Sequence, residues 1–294
     1  MTRFNWIFAI ALLWVNNIEA AEVGKFSING FGFAVEEWSK DTHSVNAKHV
    51  WIIVQKQLSE KRGIDLTMIL APSGPPRQLH NFMLKFRLFP SVLTSVTVGR
   101  FIPSFSREWP DTRIDFVETI NYSSLTNHMV ARDDGIQFRG SMWRLAYTLE
   151  AFDSSERVGG FADERTSGVQ HGYGRVVLTL PLNTTVGASH RWGRGDSSMD
   201  AWEATYKTDQ TALGVEVFDD SEEVHWNILA AQKISRDLRA VYRYEHWQNN
   251  NNSVAGVRYF FDSESCELKF NVVIPHGKNR AQKVTTLAQL IARF

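Results

Sequence analysis

The chain has 294 residues, enough for one large β domain or two ordinary ones, and its 32 basic residues balance 32 acidic ones. That balance gives no nucleic-acid footprint, although local basic patches remain open. The 10 Trp, in a chain with 12% aromatic residues, fit either a dense core or girdles at two membrane interfaces.

The first segment reads as an export signal. MTRF supplies the cation Arg3, WIFAIALLWV is the apolar run, and NNIEA ends in the small residue Ala20. The expectation is a signal peptide over 1–20, cleaved after Ala20, with a barrel domain over 21–294. The apolar run is about half the roughly 20 residues a spanning helix needs. After it, no run approaches about 18 apolar residues, so no transmembrane helix is expected. The single Cys266 leaves no disulfide within the chain.

From residue 24 onward the pattern has period two. It predicts strands over about 24–38, 45–58, 62–71, 79–89, 91–101, 133–142, 145–153, 171–181, 184–193, 197–207, 210–219, 223–233, 236–247, 252–262, 265–274 and 283–294. In LHNFMLKFRLF, Phe82, Leu84, Phe86 and Leu88 share one face, while Met83, Lys85 and Arg87 share the other. In RDLRAVYRYEHW, Leu238, Ala240, Tyr242 and Tyr244 oppose Arg239, Val241, Arg243 and Glu245. Short links such as KRG, PLNT and KTDQ make the arrangement an antiparallel meander.

A soluble sandwich also alternates. Two features favour a membrane barrel: most stretches match the roughly 9–11 residues of a spanning strand, and charges recur on the polar face strand after strand. In a membrane every backbone group must pair, so the sheet must close. The expected fold is therefore an all-β transmembrane antiparallel barrel of about 16 strands.

One connection stands out as long, at about 102–134, and its natural place in a pore is folded inward. It carries Arg107, Arg113 and Arg132 and is flanked by Arg100 and Arg139. A plainer reading pairs these arginines with loop acids, among them Glu118. Further lining candidates, each taken to lie opposite the apolar face of its strand, are Lys85, Arg87, Arg100, Arg139, Arg175, Arg239, Arg243, Arg258 and Lys269. Glu150, Glu203, Glu245 and Glu267 fall on lumen faces too and would dilute an anion preference. Trp38, Trp51, Trp143, Trp192, Trp202, Trp226 and Trp247 are girdle candidates. The closing TTLAQLIARF would turn Thr286, Ala288, Leu290, Ala292 and Phe294 to lipid.

VGRFIPSFSREWP at 98–110 and ARDDGIQFRG at 131–140 resemble the phosphate-selective porin family of Gram-negative bacteria. The terminal Phe294 resembles the signal that bacterial assembly machinery reads on outer-membrane barrels. The resemblance implies a sixteen-stranded, commonly trimeric channel in the outer-membrane lipid. It would pass small hydrophilic solutes, with anions or phosphate preferred in some members, and would need no cofactor or metal. No G-x-S-x-G or H-E-x-x-H signature marks an enzyme. A barrel hydrolase and a non-conducting structural or adhesive barrel are the alternatives.

Overall fold

A computed structural model describes residues 22–23, 26–39, 43–59, 63–71, 78–88, 92–105, 118–119, 133–152, 171–193, 198–220, 222–247, 250–262, 265–276 and 283–293. The strands are β1 (Glu22–Val23), β2 (Phe26–Trp38), β3 (His43–Ser59), β4 (Ile64–Ala71), β5 (Gln78–Arg87), β6 (Leu93–Phe101), β7 (Asp133–Met142), β8 (Leu145–Phe152) and β9 (His171–Leu180). They continue as β10 (Thr184–Gly193), β11 (Met199–Lys207), β12 (Thr211–Asp219), β13 (Val224–Lys233), β14 (Leu238–Trp247), β15 (Asn250–Asp262), β16 (Cys266–Pro275) and β17 (Thr285–Arg293).

From β2 to β17 each strand pairs antiparallel with the next, and β17 closes on β2 from Thr286↔Trp38 to Arg293↔Phe31. The two-residue β1 folds back on the start of β2, through Glu22↔Ser27 and Val23↔Phe26. The result is a closed barrel of sixteen strands, β2–β17, and closure removes the sheet edge. The expected strands agree with the observed ones to within a few residues.

The two mouths differ. The turns at 60–63, 88–92, 143–144, 181–183, 208–210, 234–237 and 263–265 share one mouth with both ends of the ring. The opposite mouth carries the connection at 102–132 and also a second long one at 153–170, which corrects the expectation of a single long link.

Polarity is inverted relative to a soluble domain. Lys269, Glu267, Glu216 and Gln289 are among the most buried side chains, whereas Phe82, Leu149, Ile228 and Phe270 are exposed. Along β13, His225, Asn227, Leu229 and Ala231 turn inward and Val224, Trp226, Ile228 and Ala230 outward. Strands of 10 residues tilted as in a barrel cover an apolar band of about 25 Å. The described part of TTLAQLIARF follows the expected alternation: Thr286, Ala288, Leu290 and Ala292 share the outward row, while Leu287 and Ile291 join Phe31 and Val35 in an apolar cluster on the inner wall.

The outward face carries aromatic pairs near the long-loop mouth. Trp38 stacks on His43, His190 on Trp192, and Trp226 lies against Tyr244 and His246. Trp202 is also outward and exposed, and Trp143 sits in the turn at the other mouth. Trp247 is not a girdle residue: it is on the inner row, 4.0 Å from His225 between ring centroids, and packs on an inner aromatic cluster. The side chain of Trp51 lies outside the described set.

Candidate functional site

The long connection turns into the lumen immediately after β6. The backbone amide of Ser104 donates to Glu150 Oε2 at 2.7 Å, and its hydroxyl accepts from Gln137 Nε2 at 3.3 Å and Arg139 Nη2 at 3.1 Å. Gln137 also donates to Glu150 Oε1 at 2.5 Å. Phe105 buries its ring against Tyr173 and Phe218, which caps the inner aromatic cluster. These contacts fasten the start of the loop to the β7–β9 wall.

Glu118 and Thr119 of the same loop meet the other side of the barrel. Glu118 accepts from Arg239 Nη1 and Arg258 Nη1, each at 2.7 Å. Thr119 Oγ1 is 2.6 Å from Arg243 Nη1, and its carbonyl accepts from Lys269 Nζ at 3.4 Å. β7 and β15 are half a ring apart among the sixteen strands, so Ser104 and Glu118, from one connection, are held on opposite walls of the lumen.

The wall it reaches is a cationic row. Lys233 pairs in register with Arg239, Arg239 with Arg258, and Arg258 with Lys269, so four cations stand side by side on the inner face. Like charges directly opposite each other repel. Carboxylates offset this: Glu118 joins Arg239 to Arg258, and Glu267 joins Arg258, at 2.5 Å, to Arg293, at 2.8 Å. Arg243 lies 3.3 Å from Glu245. Among the described residues of the loop and of β14–β17, the five cations Arg239, Arg243, Arg258, Lys269 and Arg293 face the three carboxylates Glu118, Glu245 and Glu267, a formal surplus of two.

A second inner row runs round the other half of the barrel. Register pairs Arg87 with Ser95, Ser95 with Arg139, Arg139 with Thr148, Thr148 with Arg175, and Arg175 with Ser189. Guanidinium and hydroxyl groups therefore alternate over six strands, with neighbouring arginines two strands, or about 9.6 Å, apart. Arg87 is paired with Asp65 and Arg175 with Glu203, each at 2.7 Å. Arg139 donates to the Ser104 hydroxyl beside the Glu150 carboxylate, and its Nε is buried with no hydrogen-bond partner among the described residues. Lys85 lies on the same wall, in register with Thr97. A cavity of about 550 Å³ opens beside this row toward the short-turn mouth.

Of the residues expected to line the lumen, Lys85, Arg87, Arg139, Arg175, Arg239, Arg243, Arg258 and Lys269 do stand on the inner rows. Arg100 does not: it shares the strand face of Val96 and Val98 and is in register with the exposed Phe82, which puts it on the outward row. Arg107, Arg113, Arg132 and Phe294 lie outside the described residues, as does the segment 1–20. Glu118 binds the strand arginines Arg239 and Arg258 across the lumen, and the pairing of the loop arginines lies outside the described residues. Ser104, Thr119, Gln137 and Arg293 were missed. Alternation in TTLAQLIARF could have found Arg293, whereas no local pattern reveals the loop contacts.

No protein-family model matches the chain, and no curated protein matches it. Among solved structures, OmpT of Vibrio cholerae, folded in vitro and in a trimer form, matches with 10% identity and a TM-score of 0.64, over 93% of this chain and all of that one. Salmonella typhi OmpF in complex with daunomycin matches with 10% identity and a TM-score of 0.64, over 92% of this chain and 97% of that one. A mutant of the Rh. blastica porin matches with 14% identity and a TM-score of 0.63, over 92% of this chain and all of that one. The shared feature is the fold, a transmembrane β-barrel of the porin kind.

Proposed function

We propose that the chain is a porin of the Gram-negative outer membrane, a water-filled channel through which small hydrophilic solutes diffuse. The observation that carries this reading is the loop bridging a polar lumen: Ser104 is held on one wall and Glu118 on the cationic row of the other, inside an apolar exterior. Such a lumen is wet at both mouths and narrow between them, and its lining charges set selectivity. The surplus of two cations beside Glu118, together with Lys85 and Arg139 on the facing wall, supports a weak anion preference, which extends to phosphate in the family the sequence resembles. Guanidinium suits that role because it stays charged and offers a fork of donors.

The OmpT and porin neighbours support a place in the outer membrane, while the apolar run ending at Ala20 supports export with cleavage there, and the terminal Phe294 resembles the signal read by the assembly machinery. The trimer form of the OmpT neighbour supports a homotrimer. Refolded protein in a planar bilayer tests the proposal. Discrete conductance steps with a reversal potential directed toward anions are expected, and a heat-modifiable barrel that never conducts would overturn it. Detergent-solubilised hydrolase activity or adhesion would then become the reading to pursue.

A further inference from the structure

The two walls of the lumen differ in what their cations have left to offer. On β14–β17 the carboxylates of Glu118, Glu245 and Glu267 occupy the row, and Thr119 fills much of the remaining donor geometry. On β6–β12 the cavity of about 550 Å³ is bordered by Arg139, Lys207, Thr148 and Thr185 and by the Arg175–Glu203 ion pair. That volume lies in the range of about 300–1,000 Å³ typical of small-molecule sites.

From this contrast we infer that the cavity is a solute-binding subsite for small polyhydroxylated monocarboxylates, molecules of sugar-acid size and chemistry. The inference rests on the proposed channel for access to the lumen. Arg139 supplies a guanidinium at the cavity wall, oriented by the bond from its Nη2 to the neutral Ser104 hydroxyl. One fork matches one carboxylate. Thr148 and Thr185 present hydroxyls on the same inner wall, and Thr185 is already oriented by a 2.6 Å bond to Thr205. Glu203, held by Arg175, adds an acceptor for ligand hydroxyls, and the spread of these groups along the wall suits an extended polyol better than a compact phosphate.

A site built to hydrogen-bond hydroxyl groups discriminates strongly against a ligand that lacks them. Equilibrium dialysis of the full folded barrel in detergent, with labelled gluconate, acetate or inorganic phosphate as probes, tests this without requiring ion flow. Gluconate is expected to bind at least about tenfold more tightly than acetate or phosphate. Replacing both Thr148→Val and Thr185→Val should erase the advantage over acetate while leaving acetate binding in place, and Arg139→Gln should weaken both carboxylates. Equal binding of gluconate and acetate, tighter binding of phosphate, or a double valine variant that keeps the gluconate advantage would each overturn the subsite. Because Arg139 also touches the loop, the valine pair is the decisive variant. A barrel that conducts but does not prefer gluconate sinks the subsite alone, and one that prefers gluconate but never conducts sinks the channel reading alone.

Discussion

Glu118→Gln removes one negative charge from the cationic wall of the lumen while keeping nearly the same volume. Glu118 now bridges Arg239 and Arg258, which face each other in register, so the substitution leaves two adjacent guanidiniums without their shared counter-ion. The formal surplus on that wall rises from two to three. For a mobile anion passing about 6 Å away in a water-like medium, one unit of charge changes the energy by about 0.7 kcal/mol, or roughly threefold in local concentration. The permeability ratio of chloride to potassium, read from the reversal potential in a salt gradient, should therefore rise about threefold. The gain should shrink in about 1 M salt, where the screening length falls to about 3 Å. Loss of a partly buried ion pair also loosens the loop, so open-channel current noise should increase. An unchanged ratio at low salt, or a shift toward cations, would refute the assignment of Glu118 to the conducting path.

Three further outcomes follow from local geometry. A Cβ added at Gly140 would meet the Val92 carbonyl and the Tyr147 ring, and Tyr147 already donates to that carbonyl at 3.1 Å, so Gly140→Val should lower the yield of heat-modifiable barrel on a gel. Leu182 holds a left-handed backbone, with φ of 60°, on an exposed turn, so Leu182→Asn should stabilise the barrel by about 1 kcal/mol, seen as a higher melting temperature in detergent. In the β12–β13 turn, desolvation raises the Asp220 pKa, but the amides of Glu223 and Glu222 and the His225 ring outweigh it and hold the carboxyl below its usual range. The folded form of Asp220 is thus the better acid, so its contribution is present above the ordinary aspartate pKa and is lost as pH falls through the depressed value. Asp220→Asn should accordingly narrow the stability difference between pH 7 and about pH 3 measured by thermal unfolding.

The barrel was legible because its determinants are local. Alternation in LHNFMLKFRLF and RDLRAVYRYEHW states which side chains face lipid, and short links state that neighbours pair. Parity misled only where it was not counted through: Arg100 follows Val96 and Val98 on the same face and belongs with them, and Trp247 is an inner residue at a strand end. The candidate site was half legible. The inward cations could be read from strand faces, but their partners could not, because Glu118 meets Arg239 and Arg258 across more than a hundred residues of chain. Which acid neutralises which arginine depends on how the loop crosses the lumen, and no spacing in the sequence encodes that. The alternation of arginine and hydroxyl from Arg87 to Ser189 was hidden for a related reason, since it appears only once the register of six strands is known.

Whether the lumen is an open path is decided by single-channel recording of purified, refolded protein in a planar bilayer, with the reversal potential taken under a salt gradient. Stable conducting steps and a potential directed toward anions are the predicted result. A demonstrably closed and heat-modifiable barrel that gives no steps, or steps with clear cation selectivity, would contradict the reading of the lumen as a weakly anion-selective pore.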